Sequence, residues 1–582
     1  MRKLIHPLGD GIGGKSAGIQ TLIQFGKNRI YEEMFERAAR RIGTRPNGQM
    51  RISVPETTVL ASGHFESYAK KNGLREPLCP EGLRAAVARA GIRDEKTFEA
   101  LAEAAESLEG PVAVRSSASC EDSGRRSPFA GNFSTAFAVL GQGMGTREKV
   151  GRLISAVNEV YSSFFGENVQ KKMASLGMNP SDHYMAVVLQ PVMGKADVVE
   201  TAGGLRKLHM PFASAVLASS SIGLQRPPGV GRNSPFMRLG FGLGTLVVGS
   251  ESGEQVPCRV LFPERMGVSG IPLSISIIEG RGHLMFDILL GEFLALQDKF
   301  DAIDCGNGKV ERISLEDVQD RFFFKRNSPA ISSLELGDAG YNVRPGRLIQ
   351  GGERNTIRAT FQEFIEGPEG RIFYEFAGDL ARMLRDACGF DVDLEMALAR
   401  KNNALELGLL QLRPFGSRGE RIMLRDVGQE RLVAKTDDCI GNGRQEMDKV
   451  VIVTREAMGP AAGTAQCSIG MIDRKYRGRY MIIGPNIIRD IGIGGAYGEV
   501  NNPGLILSYD EDGASMMAAG THMYNNIAMM RVIETGKGLL AGTIKRLLGE
   551  AERVCEGVYI LEKKSVAELD GVSGHAQAYW VE

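Results

Sequence analysis

Basic, amide and carboxylate side chains stand beside glycine or at the ends of apolar runs in five separated segments of the chain. These segments are Gly13–Lys15, Val114–Ser123, Gln190, Asp393–Glu395 and Gln411–Pro414. Glycine lets backbone N–H groups approach an anion, and lysine and arginine bind phosphate oxygens. Carboxylate and amide oxygens are ligands that Mg²⁺ accepts. Together these residue types predict a site for a magnesium-bound polyphosphate.

The first segment leads into a predicted helix, because Ile19, Leu22 and Ile23 have helical spacing. Read from Gly9 to Ser16, it also fits the Walker A spacing Gly-x-x-x-x-Gly-Lys-Ser. A Walker loop follows a buried strand, whereas Leu4-Ile5 is the only apolar stretch before this loop, and Pro7 interrupts it. A P-loop, another kind of phosphate contact and a turn with a solvated lysine all stay open for Lys15.

Arg115 stands near the end of a predicted strand, Pro111–Ser117, and a loop rich in serine and glycine follows it. The guanidinium group and the backbone donors of such a loop can hold a phosphate. The alternative is a structural ion pair between Arg115 and Glu121 or Asp122. Gln190 ends a second apolar strand, predicted within residues 183–193.

Gln411 and Arg413 lie two residues apart in a predicted strand, so both side chains leave the same face of the sheet. If this strand pairs with the one before it, Glu395 joins that face. A carboxylate, an amide oxygen and an arginine side by side predict a platform for magnesium-bound ATP. A solvated cross-strand pair of arginine and glutamate is the alternative.

The elements that must position these residues mix helices and strands. Residues 82–108 are rich in Ala, Leu, Glu and Arg and predict one or two helices, and residues 369–388 predict an amphipathic helix. Several short strands are expected between residues 200 and 350. Beyond about residue 430, strands alternate with glycine-rich loops and a helix at about 538–553, and a domain boundary is predicted near 416–448.

Composition excludes several classes of protein. Lys plus Arg and Asp plus Glu both number 70, so no overall charge favours a nucleic-acid partner. The eight cysteines are scattered and none has the CxxC spacing of a zinc or redox site. We find neither a signal peptide nor a run of about 18 apolar residues that could cross a membrane. We therefore expect a cytoplasmic protein with no membrane partner.

The segments also form an ordered set of motifs. They read Gly-Gly-Lys-x-x-x-Ile, Val-Arg-Ser-Ser-Ala-x-x-Glu-Asp-Ser, Phe-Ala-Gly-x-x-x-Thr, Val-x-x-Gln-x-Val, Asp-x-Glu and Leu-Gln-x-Arg-Pro. Over residues 10 to 415 this set resembles the PEP/pyruvate-binding ATP-grasp module of phosphoenolpyruvate synthase, pyruvate phosphate dikinase and rifampin phosphotransferase. The resemblance implies an α+β fold with an ATP-grasp nucleotide-binding module at residues 1–430, in two to three subdomains (about 1–195 and 196–430). A smaller α/β C-terminal domain of unknown role is expected at 431–582.

Carried over residue by residue, the resemblance implies that Lys15 and Arg115 bind the phosphates of ATP. Gly131 and Thr135 would lie in the loop over the nucleotide. Gln190 would sit near the nucleotide at the end of its strand. These roles agree with the need of phosphoryl transfer for positioning and charge neutralisation.

The resemblance further implies that Glu395 and Gln411 ligate Mg²⁺. Arg413 would stabilise charge on the phosphoryl group being transferred. The expected cofactors are thus ATP and Mg²⁺, and the expected partner is a small-molecule phosphoryl acceptor.

The chain departs from these dikinases beyond the module. It has no Gly-Gly-x-Thr-Ser-His-Ala string, which carries their phosphohistidine, and no recognisable pyruvate barrel. The tail resembles that of uncharacterised bacterial PEP/pyruvate-binding proteins in Tyr480–Pro485 and Gly520–Asn525. His522, in the second of these strings, is a candidate phosphoryl acceptor or general base, and a hydrogen-bonded structural histidine is the favoured alternative. The other six histidines have no comparable context.

The sequence therefore predicts an ATP- and Mg²⁺-dependent phosphotransferase that converts ATP to AMP as a dikinase does. Two alternatives stay open. One is a ligase that activates a carboxylate as an acyl phosphate and releases ADP. The other is a nucleotide-binding subunit whose phosphohistidine domain lies on a separate subunit.

Overall fold

The structure is a computed structural model that describes most of the chain, in ranges separated by gaps. The described residues are 4–6, 11–26, 29–43, 51–75, 80–121, 133–141, 143–167, 169–170, 173, 178–220, 233–244, 258–266, 272–277, 297–327, 329–337, 340–345, 355–401, 404–414, 423–428, 430–436, 442–458, 462–476, 479–485, 505–509, 515–519, 528–532, 545–570 and 575–581.

The described elements are named in chain order. The helices are α1 (Gly13–Gly26), α2 (Ile30–Ile42), α3 (Ser62–Lys71), α4 (Pro80–Arg89), α5 (Glu95–Ser107), α6 (Thr146–Phe164), α7 (Arg321–Arg326), α8 (Gln362–Glu366), α9 (Pro368–Cys388) and α10 (Ala462–Tyr476). The first fourteen strands are β1 (Leu4–His6), β2 (Arg51–Ser53), β3 (Thr58–Leu60), β4 (Gly110–Ala118), β5 (Thr135–Leu140), β6 (Met185–Pro191), β7 (Lys195–Thr201), β8 (Gly204–Met210), β9 (Ala213–Ala218), β10 (Phe236–Gly240), β11 (Cys258–Met266), β12 (Pro272–Ile277), β13 (Lys299–Asp304) and β14 (Val310–Ser314). The remaining strands are β15 (Ile331–Gly337), β16 (Gly340–Pro345), β17 (Asn355–Ala359), β18 (Val392–Lys401), β19 (Ala404–Pro414), β20 (Leu432–Thr436), β21 (Asn442–Val453), β22 (Tyr480–Pro485), β23 (Leu505–Tyr509), β24 (Ser515–Ala519), β25 (Ala528–Val532), β26 (Glu552–Cys555), β27 (Val558–Asp570) and β28 (His575–Trp580).

Sheet A has the strand order β1-β3-β6-β4-β5 and is mainly antiparallel. Alternate residues of β4, Val112 and Val114, point into a core formed with α3, α5 and α6. The one or two helices predicted within residues 82–108 are present as two, α4 and α5. Asp94 caps α5, since its side chain accepts a hydrogen bond from the Thr97 backbone N–H at 3.1 Å.

Sheet B has the order β12-β11-β10-β9-β18-β19-β2. The predicted helix at 369–388 is confirmed as α9, and its apolar face packs against this sheet. Pro368 starts α9, and Gly389 ends it with a φ of +73°, a conformation that glycine adopts without strain. Helices α1 and α2 share the same core as α9. Two helices from the N-terminal part of the chain thus share a core with sheet B, although the predicted subdomains meet at about residue 195. The domain boundaries stay predictions.

The short strands expected between residues 200 and 350 are present, in sheet B as β9 to β12 and in two smaller sheets. Sheet C has the order β14-β13-β8-β7, and sheet D has the order β16-β15-β17. Most of their neighbouring strands are antiparallel, as hairpin connections require. The described residues therefore combine helices with largely antiparallel sheets, as an α+β fold predicts.

The C-terminal part is built on sheet E, with the order β20-β28-β27-β21-β22-β23-β24-β25 and with β26 paired to β27. Its strands include the four predicted at 450–453, 480–483, 505–508 and 558–561. One face packs against α10, and the other face packs against the helical residues 545–550.

None of the helices described in the chain has both the length and the apolar composition needed to cross a bilayer.

Candidate functional site

Strands β18 and β19 of sheet B form an acidic and amide ledge, which we define as Asp393, Glu395 and Gln411. Glu395 lies directly opposite Gln411, and Asp393 lies opposite Arg413, so all four side chains share one face. The ledge is buried, with exposures of 7% for Asp393, 6% for Glu395 and 1% for Gln411. The predicted pairing of the two strands is confirmed, and the alternative of a solvated pair does not describe this face.

A β-bulge at Leu410 gives the ledge its direction. Glu395 pairs with Gln411, but the next residue, Met396, pairs with Leu409, so Leu410 is an extra residue in β19. Side chains alternate along a strand, and an extra residue shifts that alternation by one. Leu407 and Leu409 therefore face the hydrophobic core, whereas Gln411 faces Glu395 on the other side. The consecutive leucines at 409 and 410 are the sequence signal of this shift.

Helix α1 packs between β4 of sheet A and β19 of sheet B and contacts both strands. Gly13 has a φ of +69°, and a Cβ there would lie 1.9 Å from the Ser117 carbonyl oxygen. A Cβ at Gly18 would lie 1.8 Å from the Leu412 carbonyl oxygen. Glycine at both positions is thus what lets the helix approach both sheets. The hydroxyl of Ser117 also accepts a hydrogen bond from the Ser16 backbone N–H at 3.2 Å.

Lys15, in the first turn of α1, is held at the end of β4. Its Nζ donates to Ser116 Oγ at 3.0 Å and also contacts a carboxylate oxygen of Glu121. Ser116 in turn donates to the other oxygen of Glu121 at 3.1 Å. All three residues are buried, Glu121 with 2% exposure and Lys15 with 9%. Lys15 is therefore neither solvated nor in the setting of a P-loop, since β1 is an edge strand of a mixed sheet.

Arg115 joins the two sheets. It extends from β4 of sheet A, and its Nη2 donates to Glu395 Oε2 on β18 of sheet B. The structural ion pair considered for Arg115 is thus with Glu395, and Glu121 pairs with Lys15 instead. Arg413 lies on the other side of Glu395, at 3.9 Å between Nη1 and Oε1. Two residues 280 positions apart in the chain, Arg115 and Glu395, are therefore in direct contact.

Arg413 holds Asp393 with two nitrogens of its guanidinium group. Nε lies 2.9 Å and Nη2 lies 2.8 Å from Asp393 Oδ2. The other carboxylate oxygen of Asp393, Oδ1, is buried and has no hydrogen-bond partner in the part of the chain that the structure describes. A buried acceptor of this kind is costly unless a cation or a donor satisfies it.

The two carboxylates of the ledge differ in their pKa values. Burial by itself would raise the pKa of Glu395, but Arg115 and Arg413, with a further contribution from Lys15, outweigh it and hold that pKa below its usual value. Burial raises the pKa of Asp393; Arg413 offsets part of this rise, and the charge of Glu395 adds to it. Glu395 is thus the carboxylate that stays ionised most readily.

The donor set of the ledge fits a magnesium ion. It offers carboxylate oxygens, an amide oxygen and the buried Oδ1 of Asp393. Within the described ranges, no group of three or more His, Cys, Asp or Glu side chains is placed to hold a metal ion. A magnesium ion here would need further oxygens from a ligand or from water, as is usual for this ion at phosphate sites.

Two other predicted residues lie on sheet A. Gln190, with 3% exposure, donates from Nε2 to Thr57 Oγ1 at 3.0 Å and, more weakly, to the Leu410 carbonyl oxygen at 3.5 Å. Thr135 is the first residue of β5 and lies opposite Arg115, so it is in the sheet and not in the loop where the resemblance puts it. Gly131 and His522 lie outside the described residues.

Sequence reasoning assigned neither Asp393 to the magnesium ligands nor Glu121 to the phosphate site. Asp393 stands two residues before Glu395, and strand alternation alone was enough to put both carboxylates on the same face. Glu121 was considered only as a partner of Arg115. Nothing in its spacing indicates Lys15, because that contact depends on how α1 packs against β4.

We define the cluster as three cations and the carboxylates that they contact directly. The pairs are Lys15 with Glu121, Arg115 with Glu395, and Arg413 with Asp393. Two surface cavities, of about 670 and 500 Å³, lie elsewhere, between α2 and α9 and on sheet E, and no residue of the cluster lines them. A phosphate that binds Lys15 or Arg115 therefore competes with a carboxylate that is already present.

Comparison of the sequence with models of protein families gives one match. Residues 10–259 match the model of the pyruvate phosphate dikinase AMP/ATP-binding domain. The matched part carries Lys15, Arg115 and Gln190, whereas the ledge of β18 and β19 lies beyond it, so the predicted extent to residue 415 stays a prediction. A comparison of the chain with curated proteins gives no match. This match supports the resemblance of residues 10–259 to the pyruvate phosphate dikinase and phosphoenolpyruvate synthase N-terminal family.

Proposed function

We propose that the chain is an ATP- and Mg²⁺-dependent phosphotransferase that binds its nucleotide between sheets A and B and converts ATP to AMP. The proposal depends above all on the contact between Arg115 and Glu395, which brings the family-matched half of the cluster to the ledge. Arg115 and Arg413 thereby contact the two buried carboxylates of the ledge, and Lys15 adds positive potential at Glu395. Such a set of opposite charges suits a ligand that carries both phosphates and a metal ion.

Each residue has a distinct part in this proposal. Lys15 and Arg115 bind phosphate oxygens from the side of sheet A. Arg413, with its planar guanidinium group, stabilises the charge that develops on the transferred phosphoryl group. Because these side chains are largely buried, their electrostatic interactions are screened less than they would be in water.

Glu395, Gln411 and Asp393 would hold the magnesium ion. When bound, the ion would neutralise negative charge on the phosphates. Asp393 is added to the two predicted ligands because its Oδ1 is buried without a hydrogen-bond partner among the described residues. Glu395 remains ionised next to Arg115 and Arg413, which keeps its oxygens available as acceptors.

The test is chromatographic analysis of nucleotides after the purified chain is incubated with ATP, MgCl₂ and a panel of small-molecule acceptors. Formation of AMP supports the dikinase-like reaction, whereas ADP supports the ligase alternative. Intact ATP binding without ATP consumption would contradict the enzymatic proposal and favour a nucleotide-binding subunit. Glu395→Gln should abolish consumption, and Glu99→Gln, an exposed position on α5, is the matched control.

A further inference from the structure

Glu121 has a carboxylate in the place where a phosphate would meet Lys15. We infer that Glu121 is a competing counter-ion, which holds Lys15 in the nucleotide-free protein and lowers the affinity for the phosphate that replaces it. This inference rests on the proposed nucleotide site. It assigns to Glu121 control of nucleotide affinity, and it gives Glu121 no contact with the reacting atoms.

The contacts of Glu121 are those of a counter-ion. One carboxylate oxygen contacts Lys15 Nζ, and the other accepts a hydrogen bond from Ser116 Oγ at 3.1 Å. Ser116 has no exposed surface, and Glu121 has 2%. At such burial each ion is strongly stabilised by the other, because removal of either one would leave a buried charge with neither a counter-ion nor water around it.

The other two cations of the cluster have acidic partners of a different kind. Arg115 and Arg413 pair with Glu395 and Asp393, which belong to the ledge proposed to hold Mg²⁺. A metal ion on the ledge offsets the charge of those two carboxylates when phosphates arrive. Glu121 follows β4 on sheet A and is not part of the ledge. Its negative charge therefore opposes a phosphate that approaches Lys15.

Replacing Glu121 by glutamine tests the effect of the negative charge while the size and shape of the side chain stay nearly the same. Glutamine has nearly the same volume and can still accept a hydrogen bond from Lys15, but it removes the negative charge. The nucleotide-free variant then contains a buried ammonium group without its counter-ion, which destabilises it. The nucleotide-bound variant regains an anion beside Lys15. The same substitution should therefore lower the stability of the free protein and strengthen the binding of phosphate.

The experiment is isothermal titration of the full chain with ATP and with adenosine, both in magnesium buffer. For Glu121→Gln we expect the Kd of ATP to fall by about tenfold, as the removal of one nearby like charge suggests. The Kd of adenosine should not change, because adenosine has no phosphate. Thermal unfolding without nucleotide should begin at a lower temperature than in the wild type. Glu99→Gln on α5 should match the wild type in all three measurements.

Several results would overturn the inference. An ATP Kd that is unchanged or raised in Glu121→Gln contradicts competition, and equal changes for ATP and adenosine indicate a general effect on the fold. If the variant does not fold, a crystal structure of the wild type with a non-hydrolysable ATP analogue decides. The Lys15–Glu121 contact should then be broken, and an intact contact refutes the inference. A wild type that binds no ATP refutes the proposed function as well.

Discussion

Gly18 is a position where one added methyl group should strongly disturb the candidate site. An added Cβ would lie 1.8 Å from the Leu412 carbonyl oxygen, whereas ordinary contact begins at 3.4 Å. In Gly18→Ala, helix α1 and strand β19 must therefore move apart by about 1.6 Å. Gly18 is one helical turn from Lys15, and Leu412 lies between Gln411 and Arg413. The movement thus changes the distance between the two halves of the site.

The size of the effect follows from this displacement. Overpacking of a close contact costs about 1–3 kcal/mol of folding free energy. A misplacement of about 1 Å at a catalytic constellation can cost on the order of 100-fold in rate. We therefore expect Gly18→Ala to unfold at a lower temperature and to lose at least this factor in ATP consumption. Differential scanning fluorimetry and the chromatographic ATP assay measure the two effects.

Gly151→Ala is the matched control, because Gly151 is an exposed helical glycine in α6 and an added Cβ meets nothing within 4 Å. Alanine there should stabilise the helix by about 0.5–1 kcal/mol and leave ATP consumption unchanged. If Gly18→Ala has the unfolding temperature and the activity of the wild type, the close approach of α1 to β19 is wrong.

Three further predictions concern the surroundings of the ledge. Arg413→Lys should lower turnover by about 100-fold or more with a smaller change in ATP affinity, because lysine cannot hold Asp393 with two nitrogens; kcat and Kd measure this. Gln190→Met removes a buried donor near Leu410 and should cost about 1–3 kcal/mol in urea unfolding. Burial holds the pKa of His209 below its usual value of 6.5. The unfolded state therefore binds a proton at a higher pH than the folded state, so the free energy of unfolding should fall as the pH drops below 6.5. His209→Gln should reduce this pH dependence.

Each of these predictions has an outcome that contradicts it. Equal losses of kcat and ATP affinity in Arg413→Lys would indicate a binding role alone. A urea midpoint in Gln190→Met that equals the wild-type value would show that its hydrogen bonds stabilise nothing. The same pH dependence of unfolding in the wild type and in His209→Gln would exclude His209 as its source.

Local patterns were enough to predict much of the ledge. The two-residue spacing of Gln411 and Arg413 predicted a shared face, and the pairing of β18 with β19 confirms it. The long helix α9 also follows from its apolar periodicity. These features depend on residues close together in the chain, where the geometry of strands and helices determines direction.

The partners of the cations could not be predicted in this way. The contact of Lys15 with Glu121 depends on how closely α1 approaches β4, and that of Arg115 with Glu395 depends on how two sheets meet. Thr135 was expected in a loop, but β5 begins at this residue. Periodicity describes a single element, whereas these positions are decided by packing between elements far apart in sequence.

The extra residue at Leu410 has a consequence for how β19 can vary. Before the bulge, Leu407 and Leu409 face the hydrophobic core; after it, Leu412 faces that core and Gln411 faces Glu395. Apolar exchanges at Leu407 or Leu409 can therefore accumulate without turning Gln411. Regular pairing through Leu410, without the bulge, would in contrast send Gln411 into the core and bring Leu412 to the ledge. The side of the sheet on which Gln411 lies thus depends on the bulge and not on the identity of Leu407 and Leu409.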